Sequence, residues 1–129
     1  MTSSERAVVV EKVPERCNAR IEREFMRQLE KRTANVARPA LVLDCSRVRL
    51  ANKELVHLLF SCLEEALKRN GDVRLAGIRP ELWPSLQAAG VGRLFRVFAS
   101  SGDAVGSFGP ASAARRVALD PDQPAANAA

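Results

Sequence analysis

Tyrosine is absent from this chain, tryptophan and histidine occur once each, and only 5% of the residues are aromatic. Single-stranded nucleic acids are held on aromatic platforms beside a basic stripe, so this scarcity argues against that class of ligand. One imidazole, His57, removes any metal site built on paired histidines, and any serine or cysteine triad would rest on it alone. The three cysteines, Cys17, Cys45 and Cys62, are odd in number and show no CxxC or Cys/His spacing. They suggest neither a disulfide framework nor a zinc site, and read as reduced, buried thiols. Also missing are a phosphate-cradling GxxxxGKS/T loop, a GxGxxG turn and a nucleophile elbow. No apolar run approaches the ~20 residues needed to cross a bilayer, and the opening MTSSERAVVVEKVPER lacks the long apolar stretch of a secretory signal. These absences predict a cytoplasmic location with no membrane insertion, no catalytic residues, no metal and no cofactor.

What is present is the composition of one ordinary soluble domain: 129 residues, 47% hydrophobic and 27% charged. The formal charge of +5 raises the question of an acidic partner. Arginines are spread along the whole chain and interleaved with glutamates, whereas a nucleic-acid footprint would gather them. No nucleic-acid partner is expected.

Ala7 to Val13 is β-branched and stopped by Pro14, which predicts a strand. In ERCNARIEREFMRQLEKR, Ile21, Phe25 and Leu29 recur every fourth residue, with Met26 widening the stripe, so an amphipathic helix follows with Asn18 as its N-cap. Its outer face, with Arg20, Arg23, Glu24, Arg27 and Lys31, has the mixed sign of a solvated surface. ALVLDCS after Pro39 is short and continuously apolar, as a central strand covered on both faces would be. Asn52 then precedes KELVHLLFSCLEEALKRNG, where Leu55, Leu58, Leu59, Cys62, Leu63 and Ala66 form a broad apolar face. Glu64 and Glu65 are expected to point away from that core, and Gly71 to supply a left-handed cap. DVRLAGI predicts another strand. Pro80 opens a helix through PELWPSLQAAG, tolerating Pro84 early, and Gly90 and Gly92 close it before a last strand, LFRVFA. A weakly amphipathic end carries Ala104, Val105 and Phe108.

Alternating elements of this kind imply an α/β fold: a small mixed or mainly parallel sheet with helices largely on one side. Residues 1–109 form the expected domain. Residues 110–129, rich in Ala and Pro, have too little apolar bulk to offset their ordering entropy and are expected to be a disordered tail.

Several of these stretches together resemble the STAS family, the anti-sigma factor antagonist type. VLDCSRVRLANKEL resembles the family's central strand, its Asp-hydrophobic-Ser turn, a Val and the start of the regulatory helix, with Asp44, Ser46 and Val48 matching. GDVRLAGIRPELWPSLQAAGVGRLFRVFASSGDAVGSF resembles its later strand, Pro-to-Gly helix, Leu-Phe strand and closing helix, and VVVEKVPERCNARI its earlier strand and turn. The likeness spans roughly residues 8–108. It implies a non-enzymatic regulatory module that binds an anti-sigma factor kinase. A scaffold subunit of a stress-signalling or lipid-transport complex is the alternative, and a nucleotide-binding protein or enzyme a more distant one. It leaves a homo-oligomer open. Two departures stand out. The family's additional first edge strand is short or absent here, and its Asp-Ser-Ser/Ala-Gly signature aligns with Asn52-Lys53-Glu54-Leu55. Lys53 therefore occupies the family's phosphorylated position and has no hydroxyl to modify.

The resemblance places partner docking on the turn and first half of the regulatory helix, hence on Arg47, Arg49, Asn52, Lys53, Glu54 and His57. Each also has a plainer reading. Asn52 is a sufficient N-cap, His57 a surface histidine on the edge of Lys53, and the arginines solvated. Lys53 meets the positive end of the helix dipole, a mild cost that Glu54 opposes. Asp44 stands where α/β folds put functional groups, or accepts hydrogen bonds from its own turn. Ser46 is the nearest substitute hydroxyl, with a structural hydrogen bond as its alternative role.

Overall fold

The structure, a computed structural model, describes residues 8–109. Its element order is β1 (Val8–Lys12), α1 (Ala19–Thr33), β2 (Ala40–Asp44), α2 (Lys53–Leu67), β3 (Asp72–Ala76), a 3-10 turn (Pro80–Leu82), α3 (Trp83–Ala88), α4 (Val91–Leu94), β4 (Arg96–Phe98) and α5 (Ser101–Gly106). All three strand pairings among the described residues are parallel, in the order β1-β2-β3-β4, with Leu41 registered between Val9 and Val73. The sheet is thus parallel rather than mixed over these residues. The expected start of β1 at Ala7 and the question of an earlier edge strand lie outside them, as does the 110–129 tail.

A monotonic strand order joined by right-handed crossovers sends every connecting helix to the same face. There Val9, Leu41, Leu43, Val73 and Leu75 meet Leu29 of α1, Leu55, Leu58, Leu59 and Cys62 of α2, and Leu82, Leu86, Val91 and Phe95 from the last crossover. Only α5, after the final strand, is free to cross over. It covers Val8, Val10, Ala40, Val42 and Ala76 through Ala104 and Val105, and the three alanines let this six-residue helix approach closely. Every residue of β2 is buried, as its unbroken apolar run requires.

Several expectations are corrected. Ile21 and Phe25 are only half-buried, and Leu29 is the apolar residue of α1 that reaches the core. At the end of α2 the left-handed residue is Asn70, at φ 60°, whereas Gly71 is not left-handed. Gly71 is needed for a different reason: a Cβ there would lie 2.2 Å from the Pro39 carbonyl oxygen, where the chain enters β2. Glu65 does not point to solvent. It is buried, 3.1 Å from the Arg69 guanidinium, which also donates to the Ala34 carbonyl at 3.3 Å and so joins the ends of α1 and α2. The segment from Pro80 is not one helix. A 3-10 turn leads into α3, Gly90 at φ 89° breaks it, and Gly92 lies within the extra turn α4 rather than ending a helix.

Candidate partner-docking site

In a parallel sheet every strand ends at the same rim, and every following helix begins there. The β1–α1 and β2–α2 loops therefore lie side by side, and the candidate residues sit on the second of them and on the first turns of α2. Each long helix starts on an asparagine in extended conformation. The Asn18 side chain accepts the Ile21 N–H at 2.8 Å, and Asn52 accepts that of Leu55 at 3.0 Å. Asn52 also donates from Nδ2 to the Cys17 carbonyl at 3.0 Å, and the Cys17 thiol points to the Glu54 carbonyl at 3.7 Å. Arg49 donates its backbone N–H to the Glu15 carbonyl at 3.0 Å, and its guanidinium pairs with the Glu15 carboxylate at 2.5 Å. His57 contacts the Glu22 carboxylate on α1. The two loops are laced into one unit.

This lacing separates the candidates. Arg49 and His57 are exposed but engaged with Glu15 and Glu22, Asn52 is occupied on both ends of its amide, and Glu54 is half-buried. Arg47 and Lys53 are exposed and form no ion pair with the described residues. The basic lip expected from Arg47, Arg49 and Lys53 thus has two unpaired cations and one compensated by Glu15. Sequence reasoning missed Glu15, Cys17 and Glu22 because their partners are about 35 positions away in the chain. It also missed Leu50, which stands 45% exposed on the same loop.

Asp44 takes its structural role. It is buried at the end of β2, and its Oδ1 accepts the Ser46 N–H at 3.0 Å, fixing the turn. Gly77, at φ 73°, passes so close that a Cβ would sit 3.1 Å from the Ser46 Cβ and 3.4 Å from Asp44 Oδ1. The Ser46 side chain does not form the hydrogen bond expected of it. Only its backbone N–H is engaged, and its hydroxyl is exposed without a partner among the described residues.

Nucleophilic chemistry has little to work with here. Burial pushes the Cys17 thiol up to about 11 and Cys45 up to about 12, and raises Cys62 further. The nearby Glu22 and Glu54 carboxylates add to the effect at Cys17, so it is held in its protonated, unreactive form. Among the described residues no three His, Cys, Asp or Glu side chains are grouped to hold a metal ion, and no helix is long and apolar enough to cross a membrane. A shallow apolar cleft of about 380 Å³ opens between Trp83 and β4, lined by Ile78, Pro80, Trp83, Val97, Phe98 and Ala99. Its wall joins residues 78–83 to 97–99, two stretches brought together when β4 pairs with β3, so no local sequence signal marks it.

Comparison with known proteins agrees with this architecture. An anti-sigma-factor antagonist (STAS) domain protein from Planctomyces limnophilus superposes with a TM-score of 0.67 at 13% identity, over 77% of this chain and 88% of that one. RsbS from Moorella thermoacetica, in a variant form, gives 0.67 at 19% identity, over 77% and 87%. A chain from the stressosome, a signal integration and transduction hub, gives 0.61 at 18% identity, over 78% and 87%. No curated protein matches the sequence. The STAS domain family matches residues 7–104, from the first strand into α5, and the chain belongs to that family.

Proposed function

We propose that this STAS domain is a non-enzymatic regulatory module of the anti-sigma factor antagonist kind, which docks a kinase-like anti-sigma partner through the β2–α2 loop and the first turns of α2. The observation that carries the reading is the pair of unpaired cations, Arg47 and Lys53, on a rim whose backbone is immobilised by Asn52, Arg49 and Cys17. A rigid surface loses little entropy on binding, and its cations steer and select an acidic partner. The raised thiol pKa values and the engagement of the only histidine with Glu22 support a role without chemistry. In a phosphorylatable relative, a phosphoserine at the start of this helix adds about −1.5 to −2 charge. Here Lys53 keeps the position cationic, so docking runs without that switch. A scaffold role in a stress-signalling assembly is the second reading, favoured by the likeness to the stressosome chain.

The test is recovery of partners with the tagged chain from its own cell extract, followed by affinity measurements on the recovered partner. An anti-sigma kinase is expected, and Lys53→Glu is expected to weaken it at least about tenfold. Incubation with that kinase and ATP should leave no phosphate on the wild type by mass spectrometry. A Lys53→Glu variant that binds as tightly as wild type would show the interface to be misplaced. Phosphorylation of Ser46 with loss of binding would sink the unswitched reading while sparing the interface.

A further inference from the structure

Leu50 lies three residues after Arg47 and three before Lys53, with 45% of its surface exposed. A solitary exposed leucine on a mobile loop needs no explanation. This loop is held from both ends. Val48 is buried and donates its N–H to the Cys45 carbonyl at 3.0 Å, and Arg49 is bonded through backbone and side chain to Glu15. Ala51 packs against the core, and Asn52 is fixed at both ends of its amide. The chain therefore spends its ordering entropy on folding and presents one large apolar side chain on a braced loop, midway in sequence between Arg47 and Lys53, which are exposed and form no ion pair among the described residues. Interfaces that bind well have this composition, an apolar centre with a polar rim, and a preorganised anchor gains most from it.

We infer that Leu50 is the apolar anchor of the docking surface and that its partner presents an apolar recess walled by carboxylates. The inference rests on the rim being the docking surface. Charge complementarity selects the partner's chemistry: a basic or neutral recess would leave Arg47 and Lys53 desolvated without a counter-charge. Leu67 and Leu94 are more exposed, at 56% and 58%, but they lie where α2 and α4 run toward the opposite end of the sheet. They are the control positions.

The experiment titrates short synthetic peptides into the ¹⁵N-labelled full chain and follows backbone amide shifts. One peptide combines Glu and Leu, a second replaces Leu by Ser, and a third replaces Glu by Lys. The Glu/Leu peptide should shift amides of residues 46–57 saturably, with the other two at least about tenfold weaker. Leu50→Ser and Leu50→Asp should each lose at least that factor while their remaining amide spectra stay in place, and Leu67→Ser should lose nothing. The inference is overturned if no peptide binds, if the Glu/Ser peptide binds as tightly as Glu/Leu, if both Leu50 variants keep wild-type affinity, or if the shifts centre on Leu67 and Leu94. The two readings fail separately. A recovered kinase that binds Leu50→Asp as tightly as wild type removes the anchor alone. The expected peptide result with no kinase recovered removes only the proposed partner.

Discussion

Asn52 and Cys17 are 35 residues apart, yet the Asn52 amide nitrogen donates to the Cys17 carbonyl at 3.0 Å while its oxygen caps α2 through the Leu55 N–H. One side chain thereby starts α2 and fastens it to the neighbouring loop. A serine would cap as well but has no second donor with this reach. Asn52→Ala is expected to cost about 2 kcal/mol in urea unfolding, roughly 1 for the cap and the rest for the Cys17 carbonyl left without its donor. Asn52→Asp keeps the acceptor for Leu55 and suits the helix dipole, so it should lose less. Hydrogen exchange at the Leu55 amide should accelerate in the alanine variant. A loss of only about 1 kcal/mol or less is what the cap alone would cost, and would mean that the tie between the loops contributes nothing.

Gly71 is a second point where two distant segments meet. Its would-be Cβ lies 2.2 Å from the Pro39 carbonyl oxygen, while that oxygen accepts the Asp72 N–H at 2.9 Å. A methyl group cannot be accommodated without moving the backbone at the start of both β2 and β3. Gly71→Ala should therefore destabilise by about 3 kcal/mol or more, beyond the gain that alanine brings by stiffening the unfolded chain. A melting temperature within a degree or two of wild type would contradict this close approach.

The three thiols offer a direct check on burial. With Cys17 pushed up to about 11 and all three cysteines buried, roughly one Cys17 in a thousand is a thiolate at pH 8, and Cys45 and Cys62 are less ionised still. A disulfide reagent such as DTNB should titrate none of them rapidly in the native chain and all three in guanidinium. Fast stoichiometric reaction of Cys17 in the folded protein would show that the rim opens.

The first helix is held less by its aromatic residue than its sequence suggests. Phe25 is half-buried and Leu29 is 1% exposed. Leu29→Ala should then cost about 2–5 kcal/mol and Phe25→Ala less than the 3–5 usual for a fully buried ring. Chemical unfolding of both variants ranks them, and the reverse order would restore the aromatic anchor.

The strand-helix alternation and both asparagine caps were legible because they depend on neighbours within four positions. Periodicity located the Leu55, Leu58, Leu59 and Cys62 face of α2 for the same reason. It misplaced Glu65 because the residue's partner, Arg69, reaches to Ala34 at the far end of another helix. It gave the left-handed turn to Gly71 rather than Asn70 because glycine tolerates that conformation best, whereas here glycine answers a contact from Pro39 that no local window contains. At the candidate site the residue types were readable, but the sorting of Arg49 from Arg47 and Lys53 was not. That sorting depends on Glu15, brought alongside only when β1 and β2 pair.

Glu11 supplies a prediction in pH. It lies on β1 with a side chain only 15% exposed, and the Arg32 guanidinium stands 2.9 Å from its Oε2, yet that oxygen lacks a well-aligned hydrogen bond. Burial raises its pKa above the usual carboxylate value, and Arg32 opposes the rise without cancelling it. Between the ordinary and the raised pKa, the folded chain holds a proton that the unfolded chain has released. The folded state then binds more protons, so this group's contribution to stability falls as pH rises through that window and stays at its lower value above it. Glu11→Gln removes the titration and spares the buried charge, at the cost of the attraction to Arg32. The variant should therefore gain on the wild type as pH rises from below the ordinary carboxylate pKa toward neutrality. Paired urea titrations across this range isolate Glu11, because every other carboxylate titrates in both proteins. A difference that stays flat, or that moves toward the wild type with rising pH, would show that Arg32 outweighs burial at this site.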